Sequence, residues 1–199
     1  VRERYAVAVT PTMLDLIDRA DPQDPIRAQF VPSVLELQHS PEESADPIDD
    51  AAFSPVPGLV HRYEDRVLLK VLSVCPVYCR FCFRREKVGP DGGLLTEAEL
   101  QAALAWFEGT TAIREVILTG GDPLMLSARR LQEILGRLAD VAQSPRPRWP
   151  RLFTPVSSKP SFRHRLCSRG FSAPIFQSWL PTASFYDRLC AGANSDSGI

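Results

Sequence analysis

The sequence contains 199 residues, of which 44% are hydrophobic, and this length is sufficient for one domain with a buried core. Its formal net charge of -1 gives no overall electrostatic reason to expect nucleic acid or an anionic membrane as a partner. No apolar run approaches the ~20 residues of a membrane-spanning helix. The charged N-terminal residues also lack the apolar stretch of a signal peptide, so we expect a cytoplasmic protein.

Residues 1–57 are predicted to form an extension of short helices and loops. Thr12 and Asp15 have the spacing of a capping box, so a short helix is predicted to begin there and to run to about Arg19. Residues 36–55 are acidic and rich in proline, and they are predicted to form a solvated connecting loop.

Residues 58–145 carry alternating strand and helix patterns. The near-continuous apolar run from Val67 to Val74 is typical of a strand that is covered on both faces. A capping box at Thr96 begins a helix, Glu115 to Thr119 form the next strand, and Ser127 can cap a further helix. Strands and helices that alternate at this spacing predict right-handed crossovers and a parallel sheet.

Three cysteines follow the first of these strands with C-x3-C-x2-C spacing: Cys75, Cys79 and Cys82. Thiolate sulfur is a soft ligand that suits iron–sulfur clusters. A [4Fe–4S] cluster normally takes four cysteines, so three would leave one iron open to bind a small molecule. An open position distinguishes a catalytic metal site from a closed structural one. The cysteines therefore predict a catalytic cluster.

A zinc site is the alternative that remains open. The usual second cysteine pair is missing, because Cys167 and Cys190 are far apart, so the fourth ligand would come from His61 or His164. A disulfide is not expected, because five cysteines are an odd number and no signal segment is present. The second hypothesis is thus a non-catalytic iron–sulfur or zinc-binding protein with a structural or interaction role.

A Gly120-Gly121-Asp122-Pro123 turn ends the second strand of the parallel pair. By itself it could be a tight strand-to-helix turn. However, ligands bind at the carboxyl ends of parallel strands, and the cysteines follow the neighbouring strand at the same edge. Glycine also permits close backbone approach to a ligand. We therefore expect the two loops to face one pocket.

Arginines cluster around the cysteine segment, and their forked donors match carboxylate and phosphate groups. They are Arg62, Arg66, Arg84 and Arg85. The alternative is that they pair with local acids such as Glu64, Asp65 and Glu86.

The motifs together resemble a known family. The pattern C-x3-C-x-aromatic-C, with Phe81 as the aromatic residue, is similar to the radical S-adenosylmethionine signature. Four segments in order are similar to the lysine 2,3-aminomutase family: Asp24–Pro32, Pro57–Arg66, Cys79–Arg85 and Leu118–Pro123. The resemblance covers roughly residues 5 to 145.

The resemblance implies an α/β fold, a partial (β/α) barrel of parallel strands. The barrel part would span residues 58–145, after the extension of residues 1–57 and before an irregular tail of residues 146–199. The implied cofactors are a [4Fe–4S] cluster, S-adenosylmethionine and pyridoxal phosphate. The implied reaction moves the amino group of L-lysine to the neighbouring carbon and gives β-lysine, with an electron donor as partner. A homo-oligomer is compatible with it. One branch of the family modifies translation elongation factor P, and the motifs do not distinguish it from free lysine metabolism.

The resemblance also implies a role for individual residues. Cys75, Cys79 and Cys82 would hold the cluster, and Gly120, Gly121, Asp122 and Phe81 would hold S-adenosylmethionine. Arg62, Tyr63 and Arg66 would lie near pyridoxal phosphate, and Arg84 would bind the substrate carboxylate.

From about residue 145 the sequence changes character, because no Asp or Glu occurs between Val141 and Tyr186. The family's lysine that anchors pyridoxal phosphate is not found: Lys159 lacks its context, and Lys87 lies too early. One hypothesis is a truncated or aberrant tail, translated out of frame after a deletion, and a rival is a basic tail that contacts nucleic acid. On the first hypothesis we expect cluster assembly and S-adenosylmethionine binding, and we question complete turnover.

Overall fold

A computed structural model describes residues 1–142 and 149–152 of the chain. Its elements in chain order are α1 (Pro11–Asp15), α2 (Pro25–Phe30), a 3-10 helix (Val34–Leu37), β1 (Leu59–Tyr63), β2 (Arg66–Leu72), α3 (Glu97–Gly109), β3 (Glu115–Gly120), a second 3-10 helix (Pro123–Met125), α4 (Ala128–Ala142) and β4 (Trp149–Leu152). Within these ranges, none of the helices has the length and apolar character needed to cross a membrane.

The four strands form one mixed sheet in the order β1-β2-β3-β4. β1 runs antiparallel to β2, whereas β2, β3 and β4 run parallel to one another. Helix α3 connects β2 to β3, and α4 lies between β3 and β4 along the chain. The predicted α/β class is therefore confirmed. The hairpin formed by β1 and β2 is an addition that the apolar patterns did not predict.

One face of the sheet is covered by α3 and α4 and forms the core. Val67, Leu69 and Val71 alternate along β2 and are buried on this face. The helices contribute the apolar stripes expected from the sequence: Leu100, Ala103, Leu104 and Phe107 from α3, and Leu131, Ile134, Leu135 and Leu138 from α4. Burial of each large side chain contributes about 1.5–3 kcal/mol, so this face stabilises the fold.

The opposite face of the sheet carries polar residues near its carboxyl edge. Lys70 alternates with the core-facing residues of β2, and it is paired with Thr119 of β3. Thr119 is buried although it is polar. The segments that cover this face come from the N-terminal extension and from the cysteine loop, and they form the site described below.

The N-terminal extension is joined to the cysteine loop by backbone hydrogen bonds. The Tyr78 N–H donates to the Ala8 carbonyl at 3.1 Å, and the Arg80 N–H donates to the Gln29 carbonyl at 2.7 Å. Phe30, at the end of α2, is buried. The extension is therefore docked against the rest of the chain.

The first helix begins earlier than expected. Thr10 caps it, with its hydroxyl accepting a backbone hydrogen bond at 3.4 Å, and Pro11 occupies the first turn. Proline suits that position because its fixed φ is already helical and its missing N–H would lack a partner there. The predicted start at Thr12 is wrong, and the helix ends at Asp15 rather than near Arg19.

The segment expected to be an irregular tail begins with regular structure. Residues 149–152 form β4, which pairs in parallel with β3. The apolar periodicity of these four residues is too short to predict a strand, so only the pairing with β3 reveals it. Residues 143–148 and 153–199, on which the predictions about an aberrant or basic tail rest, lie outside the described residues.

Candidate functional site

The turn after β3 is hydrogen-bonded to the segment that leads into the cysteines. The Gly121 N–H donates to the Leu72 carbonyl at 2.6 Å, and the Asp122 N–H donates to the Val74 carbonyl at 2.9 Å. The parallel register of β2 and β3 thus continues beyond the strands. It brings the glycine turn directly beside Cys75.

This close approach requires glycine at two positions. Gly120 has φ of +112°, a conformation that side-chain-bearing residues rarely adopt. A Cβ atom on Gly120 would collide with the Leu72 carbonyl oxygen, and one on Gly121 would collide with the Val74 carbonyl oxygen. Because both obstacles are backbone atoms, no side-chain movement can relieve them.

A cavity of about 190 Å³ lies where the two loops meet. Its lining includes Cys75, Cys79, Cys82, Phe81, Arg84, Thr119, Gly120 and Gly121. The expected convergence of the cysteine loop and the glycine turn on one pocket is therefore confirmed. The roles of the individual residues stay predictions.

Two of the three thiols of the site, Cys75 and Cys79, have pKa values that are raised by burial. Burial raises the pKa of Cys75 to about 12, and the negative charges of Asp122 and Cys82 act in the same direction. Burial also raises the pKa of Cys79, with a further contribution from Cys82. Metal or cluster binding must therefore displace protons from these sulfurs.

The donor set fits a cluster better than a single ion. All three cysteines are free and partly buried. Across residues 1–142 and 149–152, no group of three or more His, Cys, Asp or Glu side chains is arranged to hold one metal ion. A cluster presents a separate iron to each thiolate, so the sulfurs need not converge on a point. Three soft donors in an open cavity fit such a group.

The structure places His61 away from the cavity. Its ring packs edge-on against Trp106 of α3, with the ring centroids 5.0 Å apart. His61 thus lies on the helix-covered face of the sheet, so it cannot supply the fourth ligand of a zinc site. His164, the other candidate, lies outside the described residues.

Asp122 is fully buried behind the glycine turn. Its Oδ1 accepts a hydrogen bond from the Leu124 N–H at 3.0 Å and thereby caps the second 3-10 helix. This carboxylate orders the turn that follows β3. The contact between Asp122 and an ammonium group stays a prediction, because the capping hydrogen bond does not test it.

Arg84 both lines the cavity and binds a buried carboxylate. Its Nε donates to Asp50 Oδ2 at 2.9 Å, and Asp50 is only 1% exposed. Lys70 Nζ and an Arg62 amino group lie 3.9 Å and 4.0 Å from the same carboxylate. The prediction that residues 36–55 form a solvated loop is therefore wrong for Asp50. A run of acidic residues in the sequence does not show which of its carboxylates will be buried.

The other cations of the cysteine loop also pair with the extension. The pairs are Arg80 with Glu36, Arg85 with Glu43, and Lys87 with Asp46. Among them, the Arg80–Glu36 pair is largely buried. Pairing with nearby acids was the alternative considered for Arg85, but the acids of all three pairs come from residues 36–50. The pairing depends on how the extension docks, so no local sequence signal could identify it.

Of the three residues expected near pyridoxal phosphate, Tyr63 and Arg66 lie together on the hairpin of β1 and β2, with the Arg66 guanidinium 5.8 Å from the centroid of the Tyr63 ring, whereas Arg62 has other partners. Arg62 stacks on Phe53, at 4.1 Å from the ring centroid, and lies beside Asp50. Tyr63 is exposed, and Arg66 pairs with the adjacent Asp65 at 2.9 Å, as the local-acid alternative predicted. Only Arg62 is brought to the same carboxylate as Arg84.

Sequence reasoning missed Asp50 and Lys70. For Lys70 a signal was present, because it is the one charged residue in the apolar run from Val67 to Val74. A lysine that interrupts a buried strand is seldom without a partner. For Asp50 nothing in the acidic segment marks it out.

Comparisons with known proteins identify the matched part of the chain. Residues 65–146 match the family model described as a 4Fe-4S single cluster domain. The L-lysine 2,3-aminomutase of Acetoanaerobium sticklandii is 41% identical over 135 residues, which are 68% of this chain and 33% of that protein. The L-lysine 2,3-aminomutase of Clostridium subterminale is 40% identical over 135 residues, 68% of this chain and 32% of that protein.

A relative whose name gives a different substrate also matches. The glutamate 2,3-aminomutase of Clostridioides difficile is 33% identical over 141 residues, 71% of this chain and 33% of that protein. The chain thus spans about a third of the length of these curated relatives. Over the part that it shares with them, the chain belongs to the lysine 2,3-aminomutase family.

Proposed function

We propose that this chain binds a [4Fe–4S] cluster and S-adenosylmethionine as a radical aminomutase. The observation that carries the proposal is the cavity shared by the three cysteines and the glycine turn. When bound, the reduced cluster would supply one electron to S-adenosylmethionine and so start the radical transfer of an amino group. An electron donor is then required as a partner.

The residues around the cavity have distinct roles in this proposal. Cys75, Cys79 and Cys82 bind three irons through their thiolates after losing their protons. The backbone at Gly120 and Gly121, with Asp122 behind it, holds the amino end of the nucleotide cofactor. Phe81, which is 68% exposed beside the cysteines, supplies an apolar surface for it.

Arg84 is proposed to bind the carboxylate of the substrate. Its Nε is occupied by Asp50, but a guanidinium has five N–H donors, and the side chain lines the cavity. L-lysine, converted to β-lysine, is the proposed substrate. Because lysine and glutamate share the α-carboxylate, Arg84 alone does not select between the substrates that the relatives' names give.

Pyridoxal phosphate and a homo-oligomeric state belong to the proposal as properties of such enzymes. Arg62 is the residue of its predicted binding set that the structure brings beside Arg84 and Asp50. For Tyr63 and Arg66 to contribute, the cofactor would have to extend to the hairpin between β1 and β2, where both residues lie.

The fold supports a larger barrel. Three parallel strands with helices α3 and α4 on one face form successive strand–helix units, which is the arrangement of a (β/α) barrel wall. We propose that residues 58–145 form most of this wall, that β4 continues it beyond the boundary expected at residue 145, and that residues 1–57 are an extension that covers its carboxyl edge.

Anaerobic reconstitution of the whole chain tests the function. We expect about four irons and four sulfides per chain, and release of 5′-deoxyadenosine when the reduced protein meets S-adenosylmethionine. Cys79→Ala should abolish both, whereas Cys167→Ala should retain them. Zinc without iron, or equal loss in both variants, would contradict the proposal. Formation of β-lysine by the same preparation tests whether turnover is complete.

A further inference from the structure

The three cysteines of the site are attached to two different parts of the fold. Cys75 follows Val74, whose carbonyl accepts the Asp122 N–H at 2.9 Å, so Cys75 is anchored beside the glycine turn that ends β3. Cys79 and Cys82 come later in the loop, where backbone and side-chain hydrogen bonds run to the N-terminal extension. The arrangement of the three sulfurs therefore depends on how the extension is docked against the sheet.

Arg80 of the cysteine loop contacts the extension at three places. Its backbone N–H donates to the Gln29 carbonyl at 2.7 Å, and its Nη1 donates to the Ala6 carbonyl at 3.0 Å. Its Nε donates to Glu36 Oε1 at 3.0 Å, and its Nη2 donates to the other oxygen of the same carboxylate. One residue, adjacent to a cysteine in sequence, thus joins the loop to three separate segments of the extension.

The pair of Arg80 with Glu36 is buried and fixed from both sides. The two side chains are 8% and 12% exposed, and Glu36 Oε1 also accepts the Ser33 N–H at 2.8 Å in the capping box of the first 3-10 helix. Arg85 and Glu43, by contrast, are 3.5 Å apart with side chains 30% and 44% exposed. Removing one partner of a buried pair is strongly destabilising, whereas an exposed pair contributes little. The first pair should therefore determine where this part of the loop lies.

We propose that Glu36 and Arg80 are positioning residues that hold Cys79 and Cys82 opposite Cys75, so that all three thiolates can bind one cluster. With the extension docked, the three sulfurs are presented to one cavity. With the extension displaced, only Cys75 keeps its anchor at the glycine turn. Residues that orient metal ligands in this way reduce the ordering that binding must impose, and they raise the affinity of the site.

This inference rests on the proposed function, because the cysteines need a fixed arrangement only if they share a ligand. Docking of the extension can nevertheless be measured on the iron-free whole chain, by hydrogen exchange of single amides followed by NMR. In the wild type we expect the Tyr78 and Arg80 amides to exchange in the same local opening as the Val31 amide of the extension. The Gly121 and Asp122 amides should exchange in a separate, slower opening with the core. Exchange of the Arg80 amide together with that of Gly121 would overturn the inference.

Two matched variants test the pair itself. Glu36→Gln keeps the shape of the side chain but removes the charge that meets Arg80, so the Arg80 amide should exchange at least about tenfold faster. The Gly121 amide should keep its wild-type rate, which also shows that the variant is folded. Glu43→Gln removes an exposed carboxylate that faces another arginine of the same loop, and it should change neither rate. Equal acceleration of the Arg80 amide in both variants would contradict the assigned role.

Iron retention by the reconstituted chain gives a measurement that a merely structural contact would not change. Glu36→Gln should release iron to a chelator about 10–100-fold faster than the wild type, the usual effect of losing a contact that orients a metal ligand, whereas Glu43→Gln should not. Arg80→Lys keeps the charge but loses the fork that matches a carboxylate, so it should behave as Glu36→Gln does. A cluster retained equally in all variants would overturn only this inference, and the expected exchange pattern in a chain that forms no cluster would overturn only the proposed function.

Discussion

The two faces of the sheet are stabilised by different interactions. On the helix-covered face, apolar side chains from α3 and α4 pack against β2 and β3. On the opposite face, ion pairs and backbone hydrogen bonds join the extension to the cysteine loop. Apolar burial contributes more free energy than most ion pairs, so the first face should hold the fold and the second should set the geometry of the site.

The largest expected effect comes from removing a large apolar side chain from the core on the helix-covered face. Phe107 of α3 is 1% exposed and lies in the core cluster. Phe107→Ala should lower the free energy of unfolding by about 3–5 kcal/mol, because it removes apolar contacts and leaves a cavity. Urea unfolding followed by circular dichroism measures this. A loss below about 1 kcal/mol would show that the core does not depend on this helix.

The second largest effect is expected from a substitution in the glycine turn, which connects strand β3 of the core to the site on the opposite face. Gly121→Ala places a Cβ against the Val74 carbonyl, and such overpacking costs about 1–3 kcal/mol. It should also displace the turn from Cys75 and reduce the iron that reconstituted protein retains.

A matched control for the turn lies in α4. Gly136 is exposed, and a Cβ there meets no atom within 4 Å. Gly136→Ala should stabilise the helix by about 0.5–1 kcal/mol and leave the iron content unchanged. If both variants retain iron equally, the close approach at Gly121 has no part in the site.

The Asp50→Asn variant tests the ion pairs on the face opposite the helices and leaves the apolar core unchanged. The variant keeps the shape of the side chain but removes the charge that faces Arg62, Lys70 and Arg84. Hydrogen bonds to charged groups contribute about 1.5–3 kcal/mol, so we expect a loss of about that size in the free energy of unfolding. Asp49→Asn, at the exposed neighbour, should change it by less than about 0.5 kcal/mol. Equal effects would mean that the buried carboxylate does not organise this face.

The smallest expected effect is the loss of one ion pair, Lys87 with Asp46, at low pH. The hydrogen bond from Lys87 holds the pKa of Asp46 at about 2, below its ordinary value. The pair therefore stabilises the docked extension fully above about pH 4, and this contribution is lost as the pH falls from there toward about 2. Proteolysis of residues 36–50 should accelerate in that window, and less so in Asp46→Asn. Acceleration of equal size in both proteins would refute the assignment.

The sequence predicted the helix-covered face in detail. The capping box at Thr96 and the stripe from Leu100 to Phe107 both appear as expected, as does the strand that ends at Gly120. Such signals are local, because a helix cap and its apolar period lie within a few residues of one another. The convergence of the two loops was predictable for a related reason, since parallel strands end at the same edge.

The sequence by itself therefore determined most of the strand and helix pattern and the meeting of the cysteine loop with the glycine turn. Only the tertiary structure decided which acids of residues 36–50 meet which cations. Asp50 is buried because the extension folds over the edge of the sheet, and that contact joins residues 34 positions apart. Long-range ion pairs have no sequence period, so the surroundings of Arg84 and Lys70 became visible only once the chain was folded.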